Sequence, residues 1–172
     1  MNKSFLPKSL ILLISLLNVY ACTNQGTIEI PENRWPHRPI DLPADSLETG
    51  HSYLSIYSQI YSDTEHRTHS LTATVSIRNV SQSDTIYLTR ADYYDTHGNL
   101  LKSYLEKPNY VAPLETVEIV IAEKDNSGGT GANFLFDWAV RPGAPEPYFE
   151  GIMISTIGSQ GLSFTTQGIR IW

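Results

Sequence analysis

From His51 onward, apolar side chains recur at every second position, and that period decides what this chain can build. A helix needs a repeat near 3.6 residues, whereas alternation puts one set of side chains on each face of a strand. Leu71, Ala73, Val75 and Ile77 share one face, with Thr72, Thr74, Ser76 and Arg78 on the other. Residues 53–61 set Leu54, Ile56 and Ile60 against Tyr53, Tyr57 and Tyr61. Val117, Ile119 and Ile121 alternate with Glu118 and Val120, while Phe134, Phe136, Trp138 and Val140 alternate with Leu135, Asp137 and Ala139. The runs Tyr148–Ile157 and Gly161–Thr166 are rich in β-branched and aromatic residues, which suit a pleated surface. A short terminal strand is expected through Ile169 and Ile171, and no stretch carries a sustained helical period.

Turn chemistry separates these runs. Val80–Asp84 closes one strand, and Asp95–Asn99 joins Ile86–Tyr94 to Leu100–Leu105 as a hairpin loop with Gly98 available for positive φ. Pro108 and Pro113 bracket an irregular connection, Glu123–Asn133 is a Gly-rich loop, and Pro142–Pro147 is a further turn. His66 and His69, beside Asp63, Glu65 and Arg67, read as a polar loop. The pattern predicts an all-β domain over residues 51–172, an antiparallel immunoglobulin-like β-sandwich of about seven to nine strands. A closed barrel is the alternative.

Ahead of it, residues 22–50 read as a flexible linker. Pro31, Pro36, Pro39 and Pro43 recur every few residues among polar ones, and each biases its predecessor towards extended backbone. Fully stretched, such a tether reaches on the order of 90 Å. The competing expectation is that Trp35 and Ile40 pack against the domain.

The first residues have the three parts of a secretory signal. Lys3 and Lys8 supply positive charge, Leu10–Leu17 is apolar except for Ser15, and small Ala21 precedes Cys22. The run is well short of the roughly 20 apolar residues of a membrane span. The stretch Val19–Cys22 resembles the bacterial lipobox, which implies a signal peptide over residues 1–21, cleavage after Ala21 and diacylation of the Cys22 sulfur. Cys22 is the one cysteine, so no internal disulfide can form, and a lipid disposes of a thiol that would be a liability in an oxidising compartment. Two or three acyl chains also suit stable anchoring. Thr23 follows where an aspartate would signal inner-membrane retention. The expected address is therefore the outer membrane on its periplasmic face, or the outer face of the cell membrane in a Gram-positive host.

A wider resemblance rests on three segments: Leu71–Asn79; Asp92–Asp95 followed by Gly98; and Asp125–Phe134 with Trp138. Together they look like an uncharacterised bacterial lipoprotein family, domain of unknown function 3124, over roughly residues 51–170. The resemblance implies a bacterial lipoprotein precursor and carries no activity, substrate or cofactor.

Charge narrows the partners. Of twelve Lys and Arg, Lys3 and Lys8 leave with the signal, so ten face eighteen acidic residues and the mature chain carries a formal −8. Nucleic-acid sites need clustered cations and anionic lipid headgroups a polybasic patch, so both drop down the list of partners, and no nucleic acid is expected. The expected partners are the membrane, through the lipid at Cys22, and a protein of the envelope.

Candidate site residues are few. Gly128, Gly129 and Gly131 could turn backbone N–H groups towards an anion, with Asp125, Ser127 and Asn133 alongside, but the Lys and following helix of a phosphate loop are missing. The bland alternative is a tight loop whose Asp125 and Ser127 bond local backbone. Asp92, Asp95, Asp125 and Asp137 lack calcium-loop spacing, and His51, His66, His69 and His97 lack zinc spacing, so no metal or cofactor is expected. Gly158–Gly161 lacks the spacing of a nucleophile elbow. Consecutive Tyr93 and Tyr94 point to opposite strand faces, and an exposed tyrosine offers rigid contact area. The expectation is a lipid-anchored binding or scaffolding module and not an enzyme. The alternatives are an envelope hydrolase or metal-dependent enzyme using the Asp125–Asn133 loop, and a carbohydrate or small-ligand binder using exposed tyrosines.

Overall fold

The computed structural model describes residues 38–156 and 161–172. The signal peptide, Cys22, Trp35 and most of the Gly158–Gly161 segment lie outside the described residues. Within them the chain is all-β, with no helix and twelve strands: β1 (Glu48–Ile56), β2 (Gln59–Ser62), β3 (Thr64–Ser70), β4 (Thr72–Arg78), β5 (Ile86–Tyr94), β6 (Leu100–Ser103), β7 (Asn109–Val111), β8 (Thr116–Ile121), β9 (Ala132–Val140), β10 (Tyr148–Ser155), β11 (Leu162–Gln167) and β12 (Ile169–Arg170).

The strands form two main antiparallel sheets. One runs β12-β1-β9-β5-β6, with β7 also on β5; the other runs β11-β10-β4-β8. Among the described residues no barrel closes; the arrangement is sandwich-like. Alternation decides which faces meet: Leu54 and Ile56 of β1, Phe134 and Phe136 of β9 and Leu88 of β5 are fully buried, as are Ala73, Val75 and Ile77 of β4 and Met153 of β10. Phe136 stacks on Phe149 of the other sheet at 4.3 Å between centroids, and the ring column continues through Phe134 to Tyr93 at 5.5 and 4.9 Å. Burying such side chains contributes roughly 1.5–3 kcal/mol each, the main force holding a domain without disulfides.

The strand count exceeds the seven to nine expected, for three physical reasons. Residues 53–61 are not one strand. The chain breaks after Ile56, where buried Ser58 gives its N–H to Gly129 O and its carbonyl accepts from Leu71. Residues 64–70 are a strand, not a loop: β3 pairs with β2 as a separate ribbon, turning through Asp63 at φ 61°. Its side chains are all polar or charged, five of the seven exposed, so alternation gave no signal. The short β7 sits between the two prolines and is held by pairing with Ile86–Leu88.

Main-chain bonding also reaches back into the expected linker. β1 begins at Glu48, Pro39 bridges to Asn109, Ile40 N–H donates to Pro108 O at 2.8 Å, and Arg38 pairs with Glu115 at 2.7 Å. The hairpin loop at Asp95–Asn99 forms as expected, with Gly98 at φ 80°. The Asp95 carboxylate accepts the N–H groups of His97 and Asn99.

Candidate functional site

The central strand β9 carries one acid, Asp137, in an otherwise apolar run, and the register gives it a partner on each side. His51 of β1 and Arg90 of β5 both lie opposite it, on the outer face of the sheet. His51 Nδ1 and Asp137 Oδ1 are 2.7 Å apart. Arg90 Nη1 stands 3.8 Å from Asp137 Oδ2. Its Nε donates to Asp92 Oδ2 and its Nη2 to the Tyr94 hydroxyl, each at 2.7 Å. Five polar groups on three neighbouring strands thus form one connected chain.

A β-bulge makes the arrangement. Leu88 pairs with Trp138 and Arg90 with Asp137, so Thr89 is the extra residue. It turns both Thr89 and Arg90 away from the core between buried Leu88 and Ala91, a common way to aim a side chain at a site. Burial of the guanidinium pulls its pKa down. Hydrogen bonds to Asp92 and Tyr94, with the charge of Asp137 nearby, more than offset that, so its pKa is raised.

Beside this chain lies an open cleft of about 430 Å³, whose lining includes Leu42, Pro43, Asp45 and Leu47 together with His51, Thr89 and Asp137. Gly50 and Trp138 are also among its lining residues. The Trp138 ring occupies the space a side chain at residue 50 would need, and its Nε1 donates to buried Ser52 Oγ at 3.0 Å. Trp172 tilts against the His51 ring at 5.4 Å. The cleft therefore joins a few apolar side chains to oriented hydrogen-bonding groups, the usual make-up of a small-ligand site. Asp137 holds the imidazole by Nδ1, which leaves Nε2 as the ring's available donor or acceptor.

The residues singled out from the sequence fall elsewhere. Tyr93 is only 2% exposed; its ring stacks on Phe134 and its hydroxyl bonds Ser58 Oγ at 2.8 Å. Burial raises its pKa, and a ring in the core offers no contact area. Tyr94 is half-buried and belongs to the Arg90 chain. Asp125 and Ser127 bond each other, with Ser127 giving both its N–H and its hydroxyl to Asp125 Oδ1. Asp125 N–H goes to Ala122 O, Gly129 N–H to Asn126 O and Gly131 N–H to Thr96 Oγ1, so with Ser127 four of the loop's amides already have partners. Asn133, on β9, is half-buried opposite Ser55 and Tyr94. Among the described residues no three His, Cys, Asp or Glu converge as a metal-holding group.

His51 and Asp137 were each legible only as isolated metal-ligand candidates, and Arg90 was not singled out. The available signal was the lone carboxylate inside Phe134–Val140, which a strand buried on one face must turn outward and pair.

The sequence matches the model of a family described as a protein of unknown function, DUF3124, over residues 49–171. The chain belongs to this family. The DUF3124 span includes His51, Arg90, Asp92, Tyr94 and Asp137, whereas the lining residues Leu42, Pro43 and Leu47 precede it. No curated protein matches the chain. Among solved structures, the crystal structure of Thermotoga maritima 1070 is similar at 8% identity, over 70% of this chain and 94% of that one, with a TM-score of 0.42.

Proposed function

We propose that this DUF3124 protein is a lipid-anchored protein of the bacterial cell envelope that acts by binding, with the His51–Asp137–Arg90 face and its cleft as the binding surface. The lipid at Cys22 holds it on the periplasmic face of the outer membrane, residues between Cys22 and the domain serve as tether, and the facing sheets are read as an immunoglobulin-like sandwich.

The observation that carries the binding reading is the matched set of polar groups beside the cleft. Arg90 lies between the carboxylates of Asp92 and Asp137, and Asp137 also orients His51. Groups that hold one another in place are pre-organised, which lowers the entropic cost of binding. They present directional hydrogen bonds next to the apolar side chains of Leu42 and Leu47. A small polar ligand with one apolar face, such as a sugar or a short peptide, suits that combination.

A second reading is favoured by one observation, the 2.7 Å His51–Asp137 pair. It is the arrangement by which a carboxylate orients an imidazole for proton transfer. An envelope hydrolase would use this pair in place of the Asp125–Asn133 loop, whose side chains bond each other.

The test uses the mature, lipidated protein. Sugar and peptide libraries are screened by nuclear magnetic resonance, following the imidazole of His51, and His51→Gln and Arg90→Gln are compared with wild type. Binding that both variants weaken about tenfold, with the ligand recovered unchanged, supports the reading; a tenfold loss corresponds to about 1.4 kcal/mol. A ligand returned cleaved in a His51-dependent manner replaces it with the hydrolase. A hit whose affinity ignores both substitutions rejects this face as the site.

A further inference from the structure

We propose that the turn Ala112–Glu115, with Val80 beside it, is a membrane-touching tip that seats the domain on the bilayer holding its lipid anchor; this rests on the lipid-anchor reading above.

The first observation is a strained leucine. Glu115 N–H closes the turn on Ala112 O at 3.0 Å, with Pro113 and Leu114 at its centre. Leu114 has φ 59°, a position that turns of this kind give to glycine or asparagine. A leucine there is disfavoured, because its Cβ crowds the following carbonyl. Yet the side chain gains no burial in return: Leu114 is 67% exposed. Strain that stabilises nothing within the fold points to a use outside it.

The second observation is its neighbour. Leu114 N–H donates to Ser81 O at 3.0 Å, which brings the turn against Val80, itself 51% exposed. The Ala112 N–H is in turn held by Glu115 Oε2 at 2.8 Å. Two exposed aliphatic residues therefore lie on adjoining, hydrogen-bonded segments of backbone.

The third observation says what covers them. Register puts Arg78 opposite both Thr116 and Tyr148, and Tyr87 opposite Ala139. The turns at 79–85, 112–115 and 141–147 consequently share one end of the domain. The N-terminal segment is fastened at that same end, where Arg38 Nη2 meets Glu115 Oε1 at 2.7 Å, one residue from Leu114. Cys22 lies sixteen residues ahead of Arg38, a reach of at most about 55 Å. Any pull from a lipid at Cys22 is transmitted to the domain beside this turn, so the end nearest the bilayer is the one carrying Leu114 and Val80. Aliphatic side chains in the headgroup region add to anchoring in proportion to the area they bury. The opposite end, with the hairpin loop at Asp95–Asn99, would face away.

Because Cys22 is the one cysteine, the experiment checks its own premise. Leu114→Cys, Val80→Cys and, as a control at the far end, His97→Cys are each produced as the mature protein. They are reconstituted in phosphatidylethanolamine/phosphatidylglycerol vesicles and treated with a thiol-reactive, environment-sensitive fluorophore. A lipidated Cys22 leaves only the introduced thiol to react. The expected result is that wild type takes no label, and that probes at 114 and 80 are quenched several-fold more strongly by nitroxide-bearing lipid than the probe at 97. Label on wild type overturns the anchor reading, and this proposal with it. No label on wild type but equal, weak quenching at 114, 80 and 97 overturns the tip alone. A blue-shifted probe at 114 without lipid quenching also overturns it, in favour of a protein surface such as a second copy. Val80→Cys decides the matter if Leu114→Cys fails to fold.

Discussion

Replacing Gly50 by alanine is the sharpest test of how β1 packs on β9 beneath the His51–Asp137 pair. Gly50 pairs with Trp138 across β1 and β9, and the indole lies over the glycine where a side chain would stand. An added Cβ would sit 2.7 Å from Trp138 Cε2 and closer still to Cζ2. Carbon atoms rest at about 3.5–4.0 Å, so the ring must retreat by roughly 1.5 Å or leave its rotamer. Trp138 is 2% exposed and its Nε1 bonds Ser52 Oγ, so it cannot retreat without loosening that bond. Overpacking costs about 1–3 kcal/mol, and a lost buried hydrogen bond adds about 1. The expected destabilisation is therefore about 3 kcal/mol, a large part of the roughly 5–15 kcal/mol that holds an ordinary domain. Urea unfolding of the mature protein, followed by circular dichroism, measures it. Trp138→Leu alone should cost about 3 kcal/mol through lost burial. In the double variant the ring is gone, so the added methyl meets little, and the total should stay near 3 kcal/mol instead of reaching about 6. A Gly50→Ala cost below about 1 kcal/mol, or strict additivity in the cycle, would refute the reasoning.

Three further outcomes are expected. Asn79 is 3% exposed and gives Nδ2–H to Asp84 O and Val111 O while its Oδ1 accepts from Ser81; Asn79→Ala should cost about 2–4 kcal/mol in the urea midpoint by orphaning those groups, and a cost within about 0.5 kcal/mol would show they find other partners. A Cβ at Gly128 would lie 2.6 Å from Ser58 Oγ and nearer still to the Tyr93 hydroxyl. Gly128→Ala should therefore destabilise by about 2 kcal/mol, and adding Tyr93→Phe, which deletes the hydroxyl in the way, should recover part of that loss; no recovery would place the conflict elsewhere. Burial pushes the Tyr104 phenol up to about 12, with the charges of Tyr93 and Asp125 acting the same way. The folded state then keeps a proton that the unfolded chain releases near 10, so stability should be level below about pH 10 and fall as pH rises towards 12. Absorbance titration checks this, since in the folded protein Tyr104 should ionise only near pH 12, or earlier with unfolding; complete ionisation of all tyrosines near pH 10 with the fold intact would contradict it.

The parts of the fold legible in the sequence are those whose side chains face a core on one side and water on the other. β4, β8 and β9 show this plainly: Ala73, Val75 and Ile77, then Val117, Ile119 and Ile121, then Phe134, Phe136 and Trp138 are all buried. β3 was illegible because both of its faces meet solvent, so hydrogen bonding to β2 alone makes it a strand. The Gly-rich loop drew notice as a possible anion cradle, yet its glycines serve close packing: Gly128 is buried against Tyr93 and Ser58. A glycine-rich stretch reads the same in either role.

The candidate site was less legible still. His51 and Asp137 are 86 positions apart, and neither has a neighbour in sequence that betrays the other. The bulge at Thr89 leaves no local mark, since one extra residue in a strand looks like any other until its partner strand is known.

By itself the sequence determined which segments extend, where they turn, and which side of each strand is apolar. These are local properties, set by side-chain alternation and by the few residues that tolerate special backbone angles. Only the tertiary structure decided that β9 lies between β1 and β5, and hence that His51, Asp137 and Arg90 meet beside one cleft. Strand neighbours are chosen by the packing of whole faces and by backbone register across long loops, and a chain read one residue at a time does not display that choice.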